Sequence, residues 1–207
     1  MSVSMSASMS FPAAYFDDLY RQDDDPWDYR ASWYERRKRL LTIAALPRER
    51  YRSGFEPACS NGELSALLAQ RCDSLRVCDI SDYAVRLARE RLREQRNVSV
   101  ERRVMPDEWP DARFDLIVIG ELCYYLSREA TLSLAQRACE SLTADGTLVA
   151  CHWRHPFEGK LQTADDVHAT FDAMLGLNGV VRHAEHDLLL DVWSKSGQSV
   201  AQCEGLA

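Results

Sequence analysis

The sequence predicts an α/β fold: a seven-stranded, mostly parallel sheet with helices on both faces and an antiparallel last strand. Three observations lead to this prediction. From residue 52 onwards, short apolar runs alternate with segments of helical periodicity, as in repeated strand-helix units with right-handed crossovers. The run from Phe114 to Gly120 is apolar without alternation, which is typical of a strand buried on both faces. Two extended runs nearly abut at residues 180–186 and 188–194, which indicates an antiparallel pair.

The other elements follow in chain order. Ser32 and Glu35 have the spacing of a capping box, which predicts a helix that starts at Ser32 and ends by Pro47. Asp145 and Gly146 predict a turn ahead of the fifth strand. The remaining predicted strands are 53–58, 75–80, 98–104 and 147–153, and the predicted helices between strands are 62–70, 81–95, 127–142 and 163–175.

Length and composition favour one domain. A chain of 207 residues with 46% hydrophobic residues can bury one sizeable core. We expect a disordered tail at residues 1–10 and a single domain at residues 11–207, with a helical cap at about residues 11–47. Seven cysteines without a CxxC pair indicate reduced thiols. No run reaches the roughly 18 apolar residues of a membrane helix, so we expect a cytoplasmic protein with no membrane partner.

The charge of the chain argues against a nucleic-acid partner. The net charge is −7, whereas neutralising phosphates requires a basic face. The one basic run, residues 36–39 (RRKR), would point in several directions on a helix, so we interpret it as a solvated face. The sequence leaves the oligomeric state open.

The loop after the first predicted strand is the candidate ligand site. Ligands of open parallel sheets bind beyond the carboxyl ends of the strands. Residues 56–62 (EPACSNG) supply small side chains that let the backbone approach a ligand, and the next helix offers its N-terminus to an anionic group. Asp79 ends the second strand, where a carboxylate can accept hydrogen bonds from both hydroxyls of a ribose. The sequence therefore implies a ligand with an intact ribose diol, and a 2′-phosphate is disfavoured.

The spacing within the loop disfavours a dinucleotide. A G-x-G-x-x-G fingerprint would need glycines at the positions of Ala58, Ser60 and Glu63, and none is present. A nicotinamide-dependent oxidoreductase is therefore the less favoured function. Binding of NAD would support that function.

The same loop is similar to the first motif of class I S-adenosylmethionine-dependent methyltransferases. The resemblance covers most of residues 20–155. Asp79 resembles the ribose-binding acid of that superfamily, and residues 114–118 (FDLIV) resemble its fourth motif. Residues 142–148 (LTADGTL) are similar to its turn before strand five. The resemblance implies a Rossmann-like fold, S-adenosylmethionine as cofactor and S-adenosylhomocysteine as product.

Two further segments resemble the nodulation protein S (NodS-like) family within that superfamily. They are residues 24–27 (DDPW) and residues 121–126 (ELCYYL). This resemblance implies methylation of a small-molecule acceptor, an amine on an amino sugar or a similar compound. Residues 151–156 (CHWRHP) depart from the family pattern where the acceptor should lie. A small-molecule O-methyltransferase and a non-catalytic S-adenosylmethionine-binding module therefore stay open.

The resemblance also implies the residues that hold the cofactor. Glu56 is expected to position the methionine amino group, and Arg30 is a candidate ion pair for the methionine carboxylate, with surface solvation as the alternative. The other expected contacts are Ala58, Cys59, Asn61, Gly62, Asp79, Ile80, Met105, Pro106 and Glu121.

Three residues are candidates for the catalytic step. An amine must be neutral to attack, and Glu121 or His152 could accept its proton. Tyr125 follows the fourth strand, close to the expected point of methyl transfer. We predict no metal site, since His152 and His155 lack a third ligand nearby in the sequence.

Overall fold

A computed structural model describes residues 10–174 and 176–207, and it contains the predicted sheet. The tail predicted at residues 1–10 lies, apart from Ser10, outside the described residues. The strands are β1 (Tyr51–Pro57), β2 (Cys72–Asp79), β3 (Val98–Arg102), β4 (Phe114–Gly120), β5 (Leu142–Trp153), β6 (Asn178–Ala184) and β7 (Leu188–Ser194). The α-helices are α1 (Ala13–Gln22), α2 (Trp33–Ala44), α3 (Glu63–Leu68), α4 (Asp82–Arg91), α5 (Arg128–Ser141), α6 (Ala164–Met174) and α7 (Val200–Cys203).

The seven strands form one sheet in the order β3-β2-β1-β4-β5-β7-β6. Neighbours are parallel except at β7, which runs antiparallel to both β5 and β6. The predicted Rossmann-like α/β fold is therefore confirmed, including its antiparallel last strand. The order reverses beside β1 and β4, so their carboxyl ends flank the crevice in which such sheets bind ligands.

Strand β4 is central because both of its faces are covered. Leu116 and Val118 pack into one core cluster, whereas Ile117 and Ile119 pack into another on the opposite face. This alternation follows from the two-residue period of a strand. Asp115 is the polar exception: its buried carboxylate accepts hydrogen bonds from the backbone N–H groups of residues 52 and 53, at 2.9 and 2.8 Å, and so ties β1 to β4.

Serine caps fix the starts of the helices that surround the site. Ser32, Ser81 and Ser127 each accept a hydrogen bond from the backbone N–H three residues later, at the start of α2, α4 and α5. Such a cap satisfies one of the free N–H groups of the first turn. The start predicted at Ser32 is confirmed, but Glu35 bonds to Lys38 rather than closing a capping box.

The turn predicted at Asp145 and Gly146 is wrong, because both residues lie inside β5. Phe114 pairs with Leu142 and Leu116 pairs with Thr147, so β5 bulges between these two pairs. Groups remote in sequence donate hydrogen bonds to backbone carbonyls of the bulge. The Arg48 side chain donates to the Asp145 carbonyl at 2.8 Å, and the Lys195 N–H donates to the Gly146 carbonyl at 3.1 Å. Such partners hold the extra residues in the strand.

Among the described residues, no helix is long and apolar enough to cross a membrane.

A methyl group added at Gly54 should destabilise the fold. A Cβ there would lie 2.7 Å from Cys72 Sγ and 2.9 Å from Leu75 Cδ1, inside the closed core. We expect Gly54→Ala to lower the free energy of unfolding by about 1–3 kcal/mol in urea titrations, the usual cost of overpacking. Gly179→Ala is the matched control, since nothing lies within 4 Å of its added Cβ. Equal stability of the two variants would contradict the packing described here.

Candidate functional site

The loop that follows β1 has a backbone that alternates between ordinary and left-handed residues. Ala58, Ser60 and Gly62 have φ angles of 60°, 53° and 83°. Ala58 and Ser60 thus adopt a conformation that costs a residue with a side chain roughly 1–2 kcal/mol. At Gly62 the left-handed backbone and the packing both favour glycine, because a Cβ would lie 3.2 Å from the Cα of Ala88 on α4. The one motif glycine that the chain keeps is thus at the most crowded of the three positions.

Asp79 fastens this loop to the end of β2. Its carboxylate accepts hydrogen bonds from the Ser60 N–H at 2.9 Å and from the Ser81 N–H at 3.0 Å. The Tyr20 hydroxyl lies 2.5 Å from the Ser60 hydroxyl, so α1 joins the same network. Burial raises the pKa of Asp79 to about 6, against the lowering effect of the backbone N–H groups. Since a carboxylate has about four lone-pair positions, it can still accept a hydrogen bond from a ligand.

Three cavities meet at this edge of the sheet, and we name each by one lining residue. The Asp79 cavity has a volume of about 390 Å³. The Arg39 cavity has about 60 Å³, and the Glu35 cavity has about 510 Å³. Tyr29 and Glu121 line all three. A molecule that extends from one cavity to the next therefore passes these two side chains.

Most of the residues predicted to bind a cofactor line the two inner cavities. The Asp79 cavity is lined by Ala58, Asp79, Ile80, Met105, Pro106, Glu121 and Tyr125, among others. The Arg39 cavity is lined by Glu56, Ala58, Cys59, Asn61 and Glu121, among others. Gly62 lies behind the loop as the N-cap of α3 and lines none of the three.

The Arg39 cavity concentrates polar atoms that have no partner. In the part of the chain that the structure describes, three buried side-chain atoms lack a hydrogen bond: Glu35 Oε2, Arg39 Nη1 and Asn61 Oδ1. All three residues line this cavity. The orientation of the Asn61 amide is fixed, because its nitrogen donates to Asp25 at 2.9 Å. The cavity therefore offers one cationic donor and two acceptors to a ligand.

Glu56 closes the bottom of the same cavity. It is 3% exposed, and its carboxylate accepts a hydrogen bond from the Ser65 hydroxyl at 2.5 Å. Burial raises the pKa of Glu56 to about 8. A neighbouring cation would restore the ionised form, so the residue is suited to bind an ammonium group.

The Glu35 cavity combines aromatic walls with acidic groups. Its aromatic residues are Tyr15, Trp27, Tyr29, Tyr34, Tyr124, Tyr125, Trp153 and Phe157. Its charged residues are the acids Asp28, Glu35, Glu121 and Glu158, against one base, Lys38. Four carboxylates and one ammonium give the cavity a negative formal charge, which favours a cationic ligand.

Lys38 holds the acids of the junction together. Its ammonium lies 2.8 Å from Glu35 Oε1 and 2.9 Å from Glu121 Oε1, and the lysine is 6% exposed. Burial alone would lower the pKa of Lys38, but the charges of Glu121 and Glu35 raise it above its ordinary value. Burial in turn raises the pKa of Glu35, with Lys38 opposing that shift. Glu121 also accepts a hydrogen bond from the Tyr124 hydroxyl.

The structure does not place Arg30 where the sequence suggested. Its guanidinium pairs with Asp24 at 3.1 Å, the side chain is 44% exposed, and it lines none of the three cavities. Arg39, not Arg30, lines the cavity beside Glu56 and Asn61. The interpretation of residues 36–39 as a solvated face is wrong for Lys38 and Arg39, which are 6% and 9% exposed. The helical repeat of Glu35, Lys38, Arg39 and Thr42 was the sequence signal for a buried polar face.

His152 also lies elsewhere than predicted. It is fully buried, it lines none of the three cavities, and its Nε2 accepts a hydrogen bond from the Cys123 N–H at 3.3 Å. A buried imidazole that lines no cavity, and whose Nε2 is already hydrogen-bonded, cannot take a proton from a methyl acceptor in these cavities. Tyr125 and Glu121, the other two catalytic candidates, do face the junction of the cavities.

A cluster that the sequence did not reveal joins His155 to His186 and Asp187. Their ligand atoms lie within 4.8 Å of one another, because the β6–β7 turn reaches the segment after β5. The Asp187 carboxylate lies 2.6 Å from His155 Nε2 and 3.2 Å from His186 Nδ1. These hydrogen bonds account for the arrangement without an ion.

Removing the buried acid at Glu56 should stabilise the protein in a pH-dependent way. Because the folded pKa is raised from 4.5 to about 8, the unfolded chain ionises first, and stability falls as pH rises through that interval. We expect Glu56→Gln to raise the free energy of unfolding at pH 8 by a few kcal/mol (~1.4 per pKa unit at most). At pH 4 the two proteins should unfold alike. A variant that is no more stable at pH 8 would contradict this account.

Sequence comparisons identify the family of this chain. The sequence model of the family "Nodulation protein S (NodS)" matches residues 14–176. Nodulation protein S of Rhizobium tropici is 29% identical over 116 residues, which are 54% of this chain and 48% of that protein. This chain therefore aligns with about half the length of that curated relative.

Comparisons with solved structures agree with this family assignment. A crystal structure from Pseudomonas syringae, described as a candidate methyltransferase, is 50% identical, with a TM-score of 0.72 over 79% of this chain and 99% of that one. N-methyltransferase NodS from Bradyrhizobium japonicum WM9, in complex with S-adenosyl-l-homocysteine, is 23% identical, with a TM-score of 0.74 over 86% of this chain and 96% of that one. The latter likeness supports the fold alone. With its family model matched over most of its length, the chain belongs to the nodulation protein S family, as its motifs suggested.

Proposed function

We propose that this protein is an S-adenosylmethionine-dependent methyltransferase that acts on a small-molecule amine. The observation that carries the proposal is the meeting of three cavities at Tyr29 and Glu121. The Asp79 cavity takes the nucleoside, the Arg39 cavity takes the amino-acid end, and the Glu35 cavity takes the acceptor. With the cofactor held in this way, Tyr29 and Glu121 would flank its sulfonium where the acceptor cavity begins.

The unpartnered atoms of the Arg39 cavity match the amino-acid end of the cofactor. Arg39 Nη1 is a donor for the carboxylate, while Glu35 Oε2 and Asn61 Oδ1 are acceptors for the ammonium group. Glu56 adds a buried acid beside them. The Asp79 carboxylate accepts hydrogen bonds from the ribose hydroxyls in the adjoining cavity.

When bound, the cofactor supplies an already activated methyl group, so the tasks of the protein are alignment and exclusion of water. Tyr125 lies between the Asp79 and Glu35 cavities and helps to fix the line of transfer. Lys38 holds Glu121 at the junction. These contacts set the geometry before the acceptor arrives.

An amine fits the acceptor cavity better than a hydroxyl group does. The cavity carries an excess of acids between aromatic walls, and such a surface attracts an ammonium group. The amine must lose a proton before it attacks, and Glu121 at the junction of the cavities can take it. Membership of the nodulation protein S family, one solved member of which is named an N-methyltransferase, supports the same class of acceptor.

Arg39 and Arg30 form a matched pair for testing the cofactor site. Arg39→Ala should weaken binding of S-adenosylhomocysteine by about 1.5–3 kcal/mol, since it removes a charge-assisted hydrogen bond. Arg30→Ala should leave binding unchanged, because that side chain is exposed and paired with Asp24. Titration calorimetry at pH 7.5 measures both. The reverse order of effects would return the carboxylate to Arg30 and refute this site.

Trp153 and Trp33 form a matched pair for testing the acceptor site. Trp153 lines only the Glu35 cavity, whereas Trp33 is 62% exposed and lines none of the three. With labelled S-adenosylmethionine and an amino-sugar acceptor, Trp153→Ala should raise KM for the acceptor about tenfold through lost apolar contact. The affinity for S-adenosylhomocysteine should stay constant, and Trp33→Ala should resemble the parent.

The acceptor series also separates the alternatives. Each amine is paired with the analogue that carries a hydroxyl group in its place. Transfer to the hydroxyl analogues alone would show an O-methyltransferase. Tight binding of S-adenosylhomocysteine with no transfer to any acceptor would show a binding module and overturn the enzymatic proposal.

A further inference from the structure

A buried chain of polar side chains lies behind the turn that carries Tyr124 and Tyr125. Its members are His152 on β5, His168 on α6 and Asp191 on β7, which are 0%, 0% and 3% exposed. None of them lines the three cavities. Groups of this polarity stay in an interior only when they are hydrogen-bonded, so the pattern of their bonds shows what they do.

The hydrogen bonds of this chain have one direction. The Cys123 N–H donates to His152 Nε2, so the proton of that ring is on Nδ1. His152 Nδ1 lies 3.1 Å from His168 Nε2, which must accept it. The His168 proton is therefore on Nδ1, which lies 2.7 Å from Asp191 Oδ2. In this arrangement each ring donates from Nδ1 and accepts at Nε2, and burial lowers the pKa of His152, in agreement with a neutral His152 ring.

This series of hydrogen bonds ends on the backbone N–H of Cys123. Cys123 is the first residue of the tyrosine turn, residues 123–125. The carbonyl of Cys123 is held as well, by the Gln162 amide at 3.2 Å and the Thr131 hydroxyl at 3.4 Å. Tyr124 reaches Glu121 from this turn, and Tyr125 lines both the Asp79 and the Glu35 cavities. A shift of the turn would therefore move the wall between cofactor and acceptor.

We propose that His152, His168 and Asp191 are positioning residues that hold the tyrosine turn at the junction of the cavities. Asp191 fixes the tautomer of His168, which fixes that of His152, which leaves Nε2 free to accept the Cys123 N–H. Helix α6 and strand β7 thereby help to set the geometry of a site that they do not touch. The inference rests on the proposed function, since that function assigns ligands to the two cavities.

The tautomers provide a test that needs no activity. In the full chain labelled with ¹⁵N-histidine, imidazole nitrogen shifts distinguish Nδ1–H from Nε2–H, and His152→Gln assigns the signals of residue 152. We expect Nδ1–H in His152 and His168, and the His152 ring should stay neutral at pH 6, because burial lowers its pKa. The other three histidines serve as references. An Nε2–H tautomer in either ring would overturn the proposal.

Variants of His152 test the positioning itself. His152→Leu leaves the Cys123 N–H unpaired and should raise the Kd for S-adenosylhomocysteine about tenfold, whereas His152→Gln retains an acceptor and should stay within about threefold of the parent. Phe171→Leu is the control for general destabilisation, since Phe171 is buried on the same helix α6. It should lower the melting temperature and leave Kd unchanged.

The outcomes are distinguishable. Equal effects of His152→Leu and Phe171→Leu on Kd would mean that His152 contributes only ordinary core packing, and would refute the positioning role. A parent protein that binds no S-adenosylhomocysteine would refute the proposed function, while the tautomer measurement would still decide the direction of the chain. If His152→Leu does not fold, the decision rests on the tautomers and on His152→Gln. Nδ1–H tautomers in both rings, together with unchanged affinity of His152→Gln for S-adenosylhomocysteine, would support the proposal. Loss of that affinity in His152→Gln would contradict the role of the acceptor atom.

Discussion

The largely buried ion group of Glu35, Lys38 and Glu121 is the interaction on which the site depends. It joins α2 to the residue that follows β4, and thus attaches the N-terminal helices to the carboxyl edge of the sheet. Buried charges are tolerated only when they are paired, because desolvation costs several kcal/mol per ion. Lys38 supplies that pairing for two acids at once. Without it, Glu121 and Glu35 would repel each other at the point where all three cavities meet.

This arrangement explains why the polar face of α2 points inwards. A helix that only covered the sheet would bury an apolar stripe, whereas α2 buries Glu35, Lys38, Arg39 and Thr42. Two of these residues compensate each other, and the Thr42 hydroxyl donates to a backbone carbonyl of the same helix at 2.9 Å. Arg39 alone presents a donor that nothing in the described structure satisfies. The helix therefore lines two of the cavities rather than forming a neutral cover.

The sheet could be predicted from sequence because its signal is local. The apolar run at β4 and the paired runs at β6 and β7 follow from residue periodicity, and Asp79 follows from its place at a strand end. The roles of Arg39 and His152 depend on partners remote in sequence. His152 meets His168 across 16 residues and the start of the tyrosine turn across 29. A helical wheel identifies a buried polar face, but the cavity behind it belongs to the tertiary structure.

The distribution of unsatisfied atoms gives the strongest physical reason to regard the site as a binding site. Native proteins satisfy nearly all buried polar groups, and each exception requires an explanation. In the described part of the chain the three exceptions line one small cavity, beside a glutamate whose pKa burial raises to about 8. Chance misfits of packing would scatter through the core and would not combine a donor with two acceptors. A zwitterionic ligand removes all of these penalties at once, so the stability that the free protein gives up is recovered on binding. The same loss keeps the cavity selective, since an apolar ligand of equal size would leave the donor and both acceptors unpaired.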